Sequence, residues 1–146
     1  MQISWQAIEQ KIQSDFPNVK SITADELAAW LDDESRTDPI IIDARSKGEY
    51  EVSHLKDAVH AEAAKDASKV VGDRPCVVYC SVGYRSAKLI NALAKAGRSN
   101  AVNLQGSIFG WLNTDRSVYL GEEVVKQVHP YNNKWAQLLK PEYRND

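Results

Sequence analysis

Two short apolar runs constrain this chain more than any other feature: Ile40-Ile41-Ile42 and Cys76-Val77-Val78-Tyr79-Cys80. Neither alternates with polar residues, so neither suits a strand with one wet face. Continuous β-branched runs belong to strands covered on both sides, as in a parallel sheet between layers of helices. Ala101 to Leu104 is a weaker third run, and Val19 to Ile22 a short fourth. Helical stretches lie between them. Ile8, Ile12 and Phe16 recur at intervals of four within Ile3 to Phe16, and Leu27, Trp30 and Leu31 mark a second stretch. Ser46 to Val52, Ala61 to Val70, Arg85 to Ala96 and Ser107 to Asn113 follow. Thr23 and Glu26 have the spacing of a capping box, and Gly97 suits the left-handed position just past a helix. Strands alternating with helices predict an α/β layered fold with a mainly parallel sheet.

A chain of 146 residues suits one domain. We read an N-terminal helix over 1–18, a domain over 19–115 and an extension over 116–146 that packs on it. Trp135, Leu138 and Leu139 lie at helical spacing before Pro141 in that extension; a partner-binding role for it stays open. A hydrophobic fraction of 43% with 26% charged residues is ordinary for a soluble protein. With a net charge of −2, no global field favours nucleic acid or an anionic membrane, so neither is an expected partner. No run of ~18 apolar residues appears, and the first residues lack the basic and apolar regions of a secretory signal. Cys76 and Cys80 fall on one extended run, roughly 13 Å apart, too far for a disulfide. Reduced thiols fit a reducing compartment, and a cytoplasmic location is the expectation. His60 and His129 have no Cys or His at ligand spacing, so neither a metal nor a cofactor is expected.

The chemistry concentrates in Cys80-Ser81-Val82-Gly83-Tyr84-Arg85-Ser86, which joins a buried strand directly to a helix. Ligand sites of open α/β sheets lie beyond the carboxyl ends of the strands. A helix N-terminus there offers unpaired N–H groups and the positive end of its dipole to an anion. Gly83 permits the positive φ that a nest of consecutive amides requires. A thiol at its centre is favoured as the thiolate, the form that attacks. Arg85 adds a permanent charge and a two-pronged donor for an oxyanion. A lone Cys ending an apolar strand is ordinarily inert, which remains our reading of Cys76. The company of Gly83, Arg85 and Ser86 marks Cys80 as the candidate nucleophile.

This loop resembles the active-site loop of rhodanese-domain sulfurtransferases, C-x-x-G-x-R-[ST]. The segment from Asp43 to Ala58 is similar to the family's upstream D-x-R-x-x-x-E-[FY]-x-x-G-H-[IL]-x-G-A through Asp43, Arg45, Glu49, Tyr50, His54, Leu55 and Ala58. Asn103, Leu104, Gly106 and Trp111 match the closing N-L-x-G-G-x-x-x-W. All three stand in family order. The resemblance implies a rhodanese-like three-layer fold with a central, mainly parallel five-stranded sheet flanked by helices. It also implies two-step sulfur transfer. Cys80 takes sulfur from a small sulfur-containing anion such as thiosulfate, and a thiol, cyanide or protein acceptor removes it. The amides of Ser81, Val82, Gly83, Tyr84, Arg85 and Ser86 would cradle the persulfide. Ser53, Asp57 and Ser107 stand where the family has glycine, and Glu62 where proline is common, which puts local turn geometry in question.

Other residues keep two readings. Asp43 and Arg45 either line the catalytic mouth or hold the loop, through an ion pair with Glu49 or a backbone bond from Asp43. His54 is read as structural, Val82 and Tyr84 as shaping the entrance, and Ser86 as a capping group rather than a catalyst. Two rival functions remain. Phosphatases and arsenate reductases with a Cys-to-Arg cradle place five residues between those two; this chain has four, a tighter ring suited to one sulfur atom. A non-turnover persulfide carrier or partner-binding module is the other.

Overall fold

In the computed structural model, which describes residues 3–144, both expected strand runs form and are covered on two sides. Strand β1 (Ser21–Ile22), β2 (Ile40–Asp43), β3 (Val59–His60), β4 (Cys76–Tyr79) and β5 (Ala101–Leu104) make a five-stranded sheet in the order β1-β5-β4-β2-β3. Every pairing within it is parallel, with Ile42 opposite Val78 and Val78 opposite Asn103. Successive side chains of a strand point to opposite faces. Ile41, Val77 and Tyr79 therefore enter one buried cluster, and Ile42, Cys76 and Val78 another. Burying each such aliphatic side chain contributes about 1.5–3 kcal/mol, so the central strands anchor both layers.

Among the described residues seven α-helices accompany the sheet, and local chemistry sets the ends of most. Ser4 accepts from the Ala7 N–H to start α1 (Trp5–Asp15). Thr23 and Glu26 form the expected capping box of α2 (Ala24–Asp32), and Ser46 with Glu49 forms a second at α3 (Lys47–Val52). Next come α4 (Ala64–Val71), α5 (Tyr84–Lys95) and α6 (Ser107–Asn113). Gly97, at φ +89, ends α5: its N–H bonds to Ala94 O, and the Arg98 N–H reaches back to Leu93 O. That pair of bonds is a Schellman motif, which needs the left-handed residue glycine supplies most readily.

Two stretches differ from the sequence reading. The helix expected from Ala61 begins at Ala64, because residues 59–60 form β3 and the Ala61 N–H bonds to Asp43 O at 3.0 Å. The tail contains a hairpin, β6 (Val118–Leu120) and β7 (Glu123–Val125), before a short α7 (Asn133–Ala136). Tyr119 and His54 exchange backbone bonds of 2.7 and 2.8 Å, tying the hairpin to the segment after α3. Val118, Val128, Leu138 and Leu139 are buried in the same cluster as Ile8 and Ile12 of α1. Both ends of the chain thus contribute to one core. Among the described residues no helix is long and apolar enough to cross a membrane.

Candidate active site

The site begins one residue past β4. Cys80 is 1% exposed, and the Gly83 N–H points at its Sγ from 3.1 Å. Gly83 has φ +114, and a β-carbon there would lie 3.2 Å from Ile12 Cδ1, so both conformation and space call for glycine. The first intrahelical bond of α5 runs from the Ala87 N–H to Gly83 O, leaving the amides of Tyr84, Arg85 and Ser86 without partners inside the helix. The chain folds this way because α6 holds the loop from beneath. Ile108 and Phe109 N–H groups donate to the carbonyls of Cys80 and Ser81, both at 3.1 Å. The Cys80 N–H donates to Ser107 Oγ, whose own proton goes to Leu104 O.

Two of the three departures from glycine keep the glycine-like backbone: Asp57 has φ +61 and Ser107 has φ +50. Ser53 is extended instead. At Ser107 the strained serine gains the two hydrogen bonds that seat the nucleophile's own amide.

Side-chain chemistry sorts the remaining candidates. Asn103 Nδ2 donates to Gly83 O at 3.0 Å, which turns its Oδ1 toward Ser86 Oγ at 2.6 Å. A hydroxyl has one proton, and the shorter contact takes it. Ser86 Oγ lies 3.4 Å from Sγ and so braces the sulfur more than it donates to it. The capping role expected of Ser86 is not what it performs; Gly83 occupies the cap position. Arg85 is engaged by Glu49 through two bonds of 2.7 and 2.9 Å, and it also donates to Ser81 Oγ. Burial pushes the Glu49 carboxyl up, but Arg85 and Ser46 outweigh this and bring it down to about 2. The two-pronged donor expected to receive an oxyanion is thus taken up by Glu49 at the lip of the loop, and the Arg85 guanidinium carbon sits 4.7 Å from the Tyr131 ring.

Asp43 and Arg45 do not reach the mouth. Both are fully buried and pair with each other at 2.6 Å, so the ion pair considered between Arg45 and Glu49 is absent. Asp43 also accepts from the Arg45 N–H and the Tyr79 hydroxyl, and that hydroxyl accepts from the Leu55 N–H. This network fixes the chain between β2 and α3 rather than touching a ligand. The His54 ring donates from Nδ1 to Leu55 O at 2.8 Å and stacks on Tyr50, in keeping with a structural place. Burial pushes the Cys76 thiol up to about 12, which keeps it protonated and unreactive. Among the described residues no His, Cys, Asp and Glu group is arranged to hold a metal.

Residues the sequence named only as motif positions take definite places in the site, Glu49 as the partner of Arg85 and Asn103 and Ser107 beneath the loop, and Asp15 joins them unannounced. Asp15 accepts a 2.6 Å bond from the Tyr84 hydroxyl, and Phe16 packs edge-on against the Tyr84 ring. The closing motif held the signal for Asn103 and Ser107. Nothing local signalled Asp15. Together these groups present an enclosed thiol with an amide on its sulfur, a helix N-terminus behind it and no basic side chain bonded to it. Such a site can form and hold an anionic sulfur adduct.

Comparison with known proteins agrees in placement. A family model described as the rhodanese-like domain matches residues 23–114. The chain is 36% identical over 96 residues to a probable adenylyltransferase/sulfurtransferase, MoeZ, of Mycobacterium tuberculosis, covering 62% of this chain and 24% of that protein. It therefore spans about a quarter of that relative's length. It is 31% identical over 88 residues to the thiosulfate sulfurtransferase GlpE of Coxiella burnetii, covering 58% of this chain and 81% of that one. A thiosulfate sulfurtransferase structure from Pseudomonas aeruginosa superposes with a TM-score of 0.67 at 21% identity. That match covers 92% of this chain and 26% of the other, and shows likeness of fold.

Proposed function

The chain belongs to the rhodanese-like domain family, and from that premise we propose that it is a sulfurtransferase working through a persulfide on Cys80. The observation that carries the proposal is the Gly83 amide 3.1 Å from Sγ, at the N-terminal mouth of α5. The Cys80 thiolate attacks the outer sulfur of a donor such as thiosulfate. A new S–S bond forms, the donor's S–S bond breaks, and sulfite leaves with the electron pair. An acceptor thiolate, cyanide or protein cysteine then attacks the outer sulfur, and Cys80 departs as thiolate. The loop amides hold the terminal sulfur between the two steps, so neither a metal nor a cofactor enters the scheme. Two free cysteines suit the reducing cytoplasm as its location.

The four residues between Cys80 and Arg85 support a single-sulfur guest over a tetrahedral phosphate. Arg85 supports it too, because its fork is already occupied by Glu49 rather than turned toward the thiol. Intact mass after thiosulfate treatment tests the proposal. The chain gains one sulfur, ~32 Da, and Cys80→Ala gains none. Cyanide then discharges the adduct with release of thiocyanate. An adduct that small acceptors leave in place favours a dedicated carrier. Phosphatase turnover lost in Cys80→Ser, without any sulfur adduct, overturns the assignment.

A further inference from the structure

A tyrosine from outside residues 23–114 lies on the arginine of the loop. The Arg85 guanidinium carbon is 4.7 Å from the centroid of the Tyr131 ring. Tyr131 also packs edge to face with Trp135, and both line a cleft of about 400 Å³ that opens over Cys80. Burial does not explain the placement, because Tyr131 is 49% exposed. Its backbone is strained as well. Tyr131 has φ +68, and the Asn132 N–H bonds to Pro130 O at 2.8 Å, which closes a γ-turn on the tyrosine. Two side chains hold that turn: His129 Nδ1 accepts from the Tyr131 N–H at 3.0 Å, and Asn132 Oδ1 accepts from the Trp135 N–H at 2.8 Å. Val128 on one side, and Leu138 and Leu139 on the other, anchor the segment in the core.

We propose that Tyr131 is a positioning residue for sulfur transfer, acting through Arg85 to keep the loop closed on the Cys80 sulfur. The inference rests on the persulfide reading of Cys80 and adds to that site a residue of the C-terminal extension. Strained backbone outside glycine persists only where its surroundings over-determine it, and it gathers at clamps and active sites. What the strain at Tyr131 maintains is a ring on the guanidinium.

The path from ring to sulfur is short. Arg85 Nη2 donates to Ser81 Oγ at 2.9 Å, that hydroxyl donates to Glu49 Oε2 at 3.2 Å, and Glu49 takes both prongs of Arg85. Ser81 and Arg85 flank Gly83, whose N–H meets Sγ. One ion pair thus staples both ends of the amide loop to α3. The Arg85 side chain is 33% exposed, so water competes for it wherever the protein leaves it uncovered. The Tyr131 ring attracts the cation and keeps water from it, which strengthens the pair beneath. At an exposed site such a contact is worth a factor of about two to five in an equilibrium. Because Glu49 already occupies the arginine fork, the effect falls on the loop rather than on affinity for the donor.

Tyr131→Gly and Tyr131→Phe separate the ring from the backbone it strains. Glycine takes a positive φ freely, so the first keeps the turn and loses the ring, while the second keeps the ring. Single-turnover loading with thiosulfate, read by intact mass, gives the rate, and hydrogen exchange over residues 80–86 reads the loop. Tyr131→Gly is expected to load sulfur about two- to fivefold more slowly at saturating thiosulfate, with its half-saturating concentration within about twofold of native. Its loop amides exchange faster by a similar factor, and its unfolding midpoint stays within about 4 °C of native. Tyr131→Phe restores both loading and exchange. Tyr131→Asn, which also accepts left-handed backbone, repeats the test should the glycine variant fold poorly. Native loading and exchange without the ring, a Phe variant as slow as Gly, a change confined to the half-saturating concentration, or a loss that only tracks a lowered midpoint overturns the positioning role and leaves sulfur transfer standing. If the native chain gains no sulfur on Cys80, the sulfurtransferase reading falls, and hydrogen exchange alone decides whether Tyr131 holds the loop.

Discussion

Replacing Glu49 by Gln tests how the loop is held. The carboxylate receives two bonds from Arg85 at 2.7 and 2.9 Å, one from the Ser46 N–H, and further contacts from the Ser46 and Ser81 hydroxyls. Burial opposes its ionisation, yet Arg85 and Ser46 hold the group at about 2 against a usual 4.5. Each pH unit of such a difference is worth about 1.4 kcal/mol, which sets a ceiling of about 3 kcal/mol. The Arg85 side chain is 33% exposed, and water screens part of the attraction, so we expect about 2 kcal/mol. The sign follows from a lowered folded-state value. The contribution is complete above the unfolded carboxylate's pKa and disappears as pH falls from about 5 toward 2. Urea unfolding of native chain and Glu49→Gln, at pH 7 and again near pH 2.5, reads the difference directly. The variant should be about 2 kcal/mol less stable at neutral pH and nearly level with the native chain in acid. A gap that stays constant across that range would refute the charge argument and leave only packing.

Tyr79→Phe should cost about 2–4 kcal/mol in urea unfolding, because it strands the buried Leu55 N–H and takes one donor from Asp43; a loss below 1 kcal/mol would show that the network tolerates gaps. Asp57→Gly should raise stability by about 0.5–1 kcal/mol in thermal unfolding, by relieving the φ of +61 at an exposed turn against the looser unfolded chain. A lower midpoint would mean that the aspartate side chain stabilises that turn by more than its strain.

Residues that act through their immediate neighbours were legible. Ile40 to Ile42 and Cys76 to Tyr79 announce strands because being covered on both faces demands apolar side chains at every position. Cys80, Gly83 and Arg85 announce a tight strand-to-helix loop because a strand, a positive φ and a helix start must follow one another within a few residues. Thr23 and Glu26 announce a helix for the same local reason. By contrast, β3 and the β6–β7 hairpin have only two or three residues per strand. Segments so short are held by their partners across the sheet, and no periodicity of their own reveals them.

Sequence alone therefore determined the layered α/β architecture, the position of the thiol and the glycine turn that points an amide at it. Tertiary structure decided which charges meet. Two acids, Asp43 and Glu49, and two arginines, Arg45 and Arg85, admit more than one pairing; the buried Asp43 takes its near neighbour, and Glu49 takes an arginine 36 residues away. It also decided that the first helix and the last, remote in the chain, close together over Cys80. Local propensity reaches a few residues along the backbone, whereas ion pairing and cleft walls depend on distances that exist only once the layers have packed.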